Sequence, residues 1–476
     1  MDMARWMAIA AATLLSGVSA GHALLFKRDP RAALGWIAVC LFFPVAGPLL
    51  YFLFGINRTR TRARQLERRA PLGWVVAYER PDPGEPTPAA IAHAIPEDCR
   101  EIAHVSDAVT SRPLLAGNRV ETLHNGEEAF PAMLAAIEDA RESICLATYI
   151  FETNRSGQRF IDVLAAAAKR GVEVRVLLDG IGELYSFPPA SRRLRRAGVR
   201  VSRFLPPRLF PPSLLVNLRN HRKILVADGT VGFTGGINIG DRHLAERDVP
   251  RRVVDAHFRL TGPVVVQMEH VFLEDWVFAT RETPTPRPLP PGEGGALCRV
   301  ITDGPNEDLD RLATILTGAV STARRRVAIM TPYFLPPREL IGALQVAALR
   351  GADVAVVLPE RSNLPYVHWA TRNMLWELLQ WSVRVYYQPP PFVHTKLFLV
   401  DDHYAQIGSA NLDPRSLRLN FEMAVEVIDQ DFVTGLARHF EGVRTRSREV
   451  TLREVVERPL PARTRDALAW LFSPYL

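Results

Sequence analysis

From about residue 118 the chain repeats one pattern, and that repeat limits its possible folds more than any other feature. In the first copy, residues 128–140 carry apolar side chains at helical spacing and residues 143–151 read as a buried strand. Residues 158–169 follow as a helix closed by Arg170-Gly171, and residues 172–178 as the next strand. The second copy runs through a helix at 308–322, a strand at 327–334, a helix at 338–349 closed by Arg350-Gly351, and a strand at 352–358. Gly171 and Gly351 fall in matching places of the two copies. Strand–helix–strand units of this kind predict parallel sheet covered by helices. The expected class is therefore α/β, with one half over 118–280 and a similar one over 298–476. Residues 281–297 between them include Thr283-Pro284-Thr285-Pro286-Arg287-Pro288, a stiff linker. Duplicated halves of this sort are expected to face each other across one shared cleft.

Each half carries one dense motif. The first is Asn220-His221-Arg222-Lys223 running on to Asp228, then Gly235-Gly236-Ile237-Asn238. The second is Val393-His394-Thr395-Lys396 running on to Asp401, then Gly408-Ser409-Ala410-Asn411. The interval from His to Asn is the same in both, from 221 to 238 and from 394 to 411. On a strand, side chains two apart share a face, so each His and Lys point into one space. Asp228 and Asp401 have the opposite parity and are expected to fix the turn at the strand end. The Gly-Gly and Gly-Ser steps are expected to let backbone approach an anion closely. A single His-x-Lys is more often structural than catalytic. Two copies with identical spacing offer two lysines and two asparagines for phosphate oxygens, and two histidines as nucleophile and general acid. The chain has no His-Glu-x-x-His and no paired Cys-x-x-Cys, so neither a metal nor another cofactor is expected. The lysines supply positive charge instead.

The first 56 residues differ in character. Residues 6–26 and 32–56 are uncharged and mostly apolar, each long enough for a bilayer, and Lys27-Arg28-Asp29-Pro30-Arg31 parts them. The expectation is a transmembrane hairpin, its second helix kinked by Pro44 and Pro48. Val18-Ser19-Ala20 also resembles a signal-peptide cleavage site, in which case the second stretch remains as the anchor. Six arginines follow between 58 and 69, and this positive flank places the rest of the chain in the cytoplasm. Residues 57–117 are expected to be a basic juxtamembrane segment and a linker with short helices. A net charge of +7 and 47% hydrophobic residues exclude wholesale disorder, and four cysteines exclude a disulfide scaffold. Base-stacking aromatics are not clustered with basic residues, so nucleic acid is not an expected partner.

With its doubled His-x-Lys-x4-Asp, the sequence resembles the phospholipase D superfamily, and within it the bacterial cardiolipin synthases. The resemblance extends through Thr331-Pro332-Tyr333-Phe334, Gly304-Pro305-Asn306-Glu307-Asp308, Asn411-Leu412-Asp413-Pro414-Arg415-Ser416 and Leu471-Phe472-Ser473-Pro474-Tyr475-Leu476. Residues 251–257 lack the tryptophan often found before Asp255 in the family. The resemblance implies two-step phosphatidyl transfer between two phosphatidylglycerol molecules, giving cardiolipin and glycerol at a bacterial inner membrane. It implies His221 as nucleophile and His394 as general acid/base, roles that are exchangeable by analogy. Lys223, Lys396, Asn238 and Asn411 are then the phosphate-binding residues. Asp255 and Glu422 match the supporting acids, each following the histidine of its own half along the chain. Two rival readings use the same motif: a hydrolytic phospholipase D with water as acceptor, and a nuclease. The sequence leaves the oligomeric state open.

Overall fold

The computed structural model describes residues 2–27, 30–55, 91, 93–110, 112–207, 218–246, 251–304 and 310–473. The arginine run of 58–69 and the segment 305–309 lie outside them. The chain divides into two compact units, Met1–Leu66 and Glu67–Leu476.

In the first unit, the helix Asp2–Phe26 packs along the helix Pro30–Phe42. Small residues allow the approach: Ala20, Ala23 and Cys40 are buried together with Tyr51, whose hydroxyl lies 2.7 Å from His22 Nδ1. Outward-facing Trp6, Leu14, Leu25 and Phe42 leave the surface of the pair apolar. The second apolar stretch is not one long helix. It stops at Phe42, turns, and resumes as Ala46–Leu50 and a π-helical turn at Tyr51–Gly55. Pro44, which lacks an N–H and crowds the preceding turn, accounts for the break. Residues 5–26 alone form a helix long and apolar enough to cross a membrane among the described residues, and Pro30–Phe42 is a shorter apolar one.

The second unit holds the repeat. Its strands are β1 (Leu115–Gly117), β2 (Arg119–His124), β3 (Ser143–Thr148), β4 (Glu173–Asp179), β5 (Arg200–Phe204), β6 (Ile224–Ala227), β7 (Val231–Gly235), β8 (Val253–Val254) and β9 (Ala256–Thr261). They continue as β10 (Gly294–Asp303), β11 (Arg326–Met330), β12 (Asp353–Pro359), β13 (Arg384–Gln388), β14 (Phe392–Val393), β15 (Leu397–Val400), β16 (Tyr404–Gly408), β17 (Glu422–Ile428) and β18 (Arg448–Val450). One sheet has the order β2-β9-β7-β6-β3-β4-β5 and the other β1-β10-β17-β16-β15-β11-β12-β13-β18. In each, the strand–helix–strand units make three parallel strands, β3-β4-β5 and β11-β12-β13. The rest is antiparallel, because tight turns after Ala227 and Val400 fold β6 onto β7 and β15 onto β16.

The crossover helices, Arg155–Lys169 and Arg338–Leu349, end where Gly171 and Gly351 take φ of +89° and +97°. That left-handed conformation suits glycine and closes a helix. The arginine before each glycine does a second job. Arg170 donates to the carbonyls of Ile137, Glu138 and Ala140, and Arg350 to those of Val320, Ser321 and Ala323. Each guanidinium thus satisfies the orphan carbonyls that end the neighbouring helix.

Part of the expected linker belongs to the second half. The helix Arg100–Val109 buries Ile102 and Ala103 in that half's core, and β1 pairs antiparallel with β10. Arg299 on β10, fully buried, pairs with Asp107 of this helix and with Glu426. The two halves meet through a short parallel ribbon, β8 with β14, and through a bridge from Asn220 to Phe421. Both contacts lie beside the motifs.

Candidate active site

Each motif begins just before its strand, not within it: His221 and Lys223 precede β6, and His394 and Lys396 precede β15. The main chain there pairs with the opposite half. His221 N–H donates to Phe421 O (3.0 Å), and His394 N–H donates to Val254 O (2.8 Å). The residue after each of these acceptors is an acid, so the pairing carries a carboxylate onto each imidazole. Glu422 lies 2.9 and 3.1 Å from His221 Nδ1, and Asp255 lies 2.8 Å from His394 Nδ1. The order of the sequence suggests that Asp255 serves His221 and Glu422 serves His394. The structure exchanges them, because the β8–β14 ribbon and the Asn220–Phe421 bridge join opposite halves.

A carboxylate on Nδ1 fixes the tautomer and leaves Nε2 for chemistry. The imidazoles are 12% and 13% exposed, whereas both carboxylates are fully buried. Burial holds His221 below the ordinary histidine value and His394 well below it, with Lys396 and Lys223 adding to the effect on His394. Burial pushes Asp255 up. It works the same way on Glu422, but His221, Lys223 and the Ser409 hydroxyl together bring that carboxyl below its usual value.

Lys223 and Lys396 are buried, and each donates to the carbonyl of its own histidine (2.7 and 2.6 Å). Lys396 Nζ also lies 3.0 and 3.2 Å from the two ring nitrogens of His394. Burial drives Lys223 down to about 7 and Lys396 to about 8, and the charge of Lys396 adds to the drop at Lys223. An anion entering beside them would stabilise both ammonium groups.

Asn238 Oδ1 accepts from Ile150 N–H (3.1 Å), which leaves its amide N–H groups as donors. Asn411 donates to Ser416 Oγ (3.1 Å), and its buried Oδ1 has no partner. A flip of that amide gives Oδ1 to the Ser416 hydroxyl and frees the N–H groups. Asp228 and Asp401 belong to the motif but not to the pocket. Asp228 accepts the backbone N–H groups of Arg141, Glu142 and Ser143, and Asp401 those of Arg324, Arg325 and Arg326. Each sits in the turn after its strand, at φ of +53° and +51°, and ties that turn to the start of β3 or β11.

The glycine steps have a different partner from the one expected. A Cβ on Gly236 would collide with the Asp255 carboxylate, so this glycine makes room for the acid and not for an incoming anion. At the matching place in the second half, Ser409 donates to Glu422 Oε2 (2.5 Å), and Asn420 donates to Glu422 Oε1 (3.3 Å). Arg222 reaches across to Glu422 O (3.1 Å) while bonded to Asp275 (2.7 Å). Tyr149 stands edge-on to His221 with ring centroids 5.3 Å apart. Sequence reasoning named none of these four as site residues. Ser409 had a signal, since Gly236 and Ser409 stand at the same offset from their histidines and yet differ.

Comparison with known proteins identifies the family. The family model described as cardiolipin synthase, PLD-like domain, matches residues 133–276 and 316–444, and the phospholipase D-nuclease N-terminal model matches residues 14–55. The major cardiolipin synthase ClsA of Bacillus subtilis is 32% identical over 94% of this chain and 95% of its own length. Cardiolipin synthase A of Pseudomonas putida F1 is 34% identical over 97% of this chain and 96% of its own. Among solved structures, phosphatidylserine synthase of Haemophilus influenzae superposes with a TM-score of 0.63 at 16% identity, covering 79% of this chain and all of that one, a likeness of fold. With both motifs intact and the match running nearly end to end, the chain belongs to the cardiolipin synthases of the phospholipase D superfamily.

Proposed function

We propose that this cardiolipin synthase transfers a phosphatidyl group from one phosphatidylglycerol to another, through a phosphatidyl-histidine. The observation that carries the reading is the crossed pair of buried acid–histidine contacts beside two buried lysines. His221 Nε2 attacks the phosphodiester phosphorus. Its ring is supported by Glu422, held below its usual pKa and so ionised, which raises the basicity of the imidazole. The P–O bond to glycerol breaks, and His394, protonated once the bound substrate's negative charge offsets the neighbouring lysines, delivers its proton to the departing alkoxide. His394 then removes the proton of a second phosphatidylglycerol's hydroxyl, whose oxygen attacks phosphorus and breaks the P–N bond. Lys223, Lys396, Asn238 and Asn411 hold the non-bridging oxygens, and the lysines' positive charge stabilises the charge that builds up there. Asp255 keeps His394 oriented through both steps.

The N-terminal segment anchors the enzyme in a bacterial inner membrane, with the helix of residues 5–26 as one pass and the broken stretch Pro30–Gly55 returning as the second. The arginines at 58–69 support a cytoplasmic side for the catalytic unit.

Purified enzyme given phosphatidylglycerol in detergent tests the reaction. Cardiolipin and free glycerol should appear in equal amounts, with activity undiminished by EDTA. Phosphatidic acid in place of cardiolipin would identify water as the acceptor. Neither His221→Ala nor His394→Ala should support turnover.

A further inference from the structure

The loop after β4 has its polar groups turned inward and its apolar side chains turned out. Asp179 Oδ1 accepts the N–H groups of Ile181 and Gly182 (both 2.9 Å). Ser186 Oγ accepts Thr153 N–H (2.8 Å), and Thr153 Oγ1 donates to Pro188 O (3.2 Å). Glu183 is buried and pairs with Arg203. A loop fixed at both ends in this way nevertheless exposes Leu184 (65%), Tyr185 (58%) and Phe187 (92%). It stands at the mouth of the site, since the Tyr185 ring is 6.3 Å from that of Tyr149, and Tyr149 touches His221. The helix Ala190–Arg196 follows directly and exposes Arg192, Arg195 and Arg196. The second half adds exposed apolar side chains of its own. The segment after β12 is tied by Tyr333 Oη to Asn363 Oδ1 (2.8 Å) and exposes Tyr366, and the adjoining C-terminal helix exposes Leu471 and Phe472.

We propose that Leu184 and Phe187, with Arg192, Arg195 and Arg196 behind them, form an interfacial wedge that seats the mouth of the site on an anionic phospholipid bilayer. The inference rests on the phospholipid-transferase reading and adds where the catalytic unit meets the lipid. Apolar rings backed by arginine guanidiniums are the side-chain pattern of the membrane interface, where rings enter the acyl boundary and cations meet anionic headgroups. The substrate's phosphorus lies at headgroup depth, so a pocket that opens between such rings can reach it with the acyl chains still in the bilayer. Large apolar groups on a rigid loop around the entrance to a lipid site are thereby covered by the substrate's own phase.

The test pairs an activity comparison with a depth measurement on the full-length enzyme. The double variant Leu184→Ser/Phe187→Ser should lose about tenfold or more of its activity on phosphatidylglycerol vesicles. On dihexanoyl-phosphatidylglycerol below its micelle concentration it should match the unsubstituted enzyme. Equal loss on both substrates would overturn the wedge in favour of a structural role for the loop. A nitroxide on Phe187→Cys should report lipid-phase oxygen accessibility in phosphatidylglycerol proteoliposomes, and less of it in Arg192→Glu/Arg195→Glu/Arg196→Glu. A label left in water, or one shielded only as protein concentration rises, would overturn it, the latter pointing to a second copy of the chain. If the unsubstituted enzyme turns over neither substrate, the transferase reading fails and the label alone decides the wedge.

Discussion

Lys223 and Lys396 place two cations in one buried space, and this sets a pH dependence. Burial lowers them to about 7 and about 8. Only the protonated forms attract an oxyanion, so affinity is full below these values and is lost as pH rises through them. Affinity for tungstate, a phosphate mimic, should therefore fall above about pH 7, and binding near pH 8 should draw protons from the buffer. Calorimetry in two buffers of different ionisation enthalpy reads that uptake, and an affinity independent of pH across the range would contradict it. The lysines, histidines and asparagines were legible because duplication repeats their spacing. The partners of the histidines were not. Distance along the chain tied Asp255 to His221, whereas the pairing of β8 with β14 hands it to His394. Asn420 was hidden because no repeat of spacing ties it to Glu422, whereas Ser409 was marked only by standing where the first half has Gly236.

Asp228 and Asp401 act on elements. Each closes the turn after a motif strand onto the first residues of a central parallel strand, by accepting three backbone N–H groups. Hydrogen bonds to a charged group are worth about 1.5–3 kcal/mol each in net terms, with strong non-additivity within one cluster. Asp401→Ala should thus cost about 3 kcal/mol and lower the melting temperature of a unit this size by roughly 3–4 °C. The turnover number per folded molecule should stay near that of the parent. Thermal denaturation beside active-site titration separates these, and an unchanged melting temperature with lost turnover would assign the aspartate to the chemistry instead. At this scale the sequence was most readable in the strand–helix–strand units, where helical periodicity and the Arg-Gly stops mark the ends. It was least readable in the antiparallel strands. The short β1 and the helix Arg100–Val109 are too short to show a distinct period and owe their place to β10 and the core beneath it.

At the scale of the molecule, two repeats make one site only because each supplies what the other lacks. The first half brings His221 and the acid for His394, and the second brings His394 and the acid for His221. Neither histidine finds its acid within its own half, which is a physical reason for the two similar units to stay fused in one chain. The doubled pattern predicted a shared cleft but not the cross-wiring, since periodicity says which residues share a face and not which half lies opposite. The N-terminal pair of apolar segments was likewise legible in number. Its second member was not legible in length, because a break around Pro44 divides it between Phe42 and Ala46.

The most direct test of this wiring uses phosphatidyl-p-nitrophenol, a donor whose leaving group needs no proton. Of the two acid–histidine pairs, formation of the phosphatidyl-enzyme then depends on that of His221 alone, and appears as a rapid burst of nitrophenolate. The burst should persist in His394→Ala and in Asp255→Asn. It should vanish in His221→Ala and slow by about 10⁴-fold in Glu422→Gln, the order of loss seen when the acid behind a catalytic histidine becomes an amide. A burst that survives Glu422→Gln and is lost in Asp255→Asn would contradict the crossed pairing.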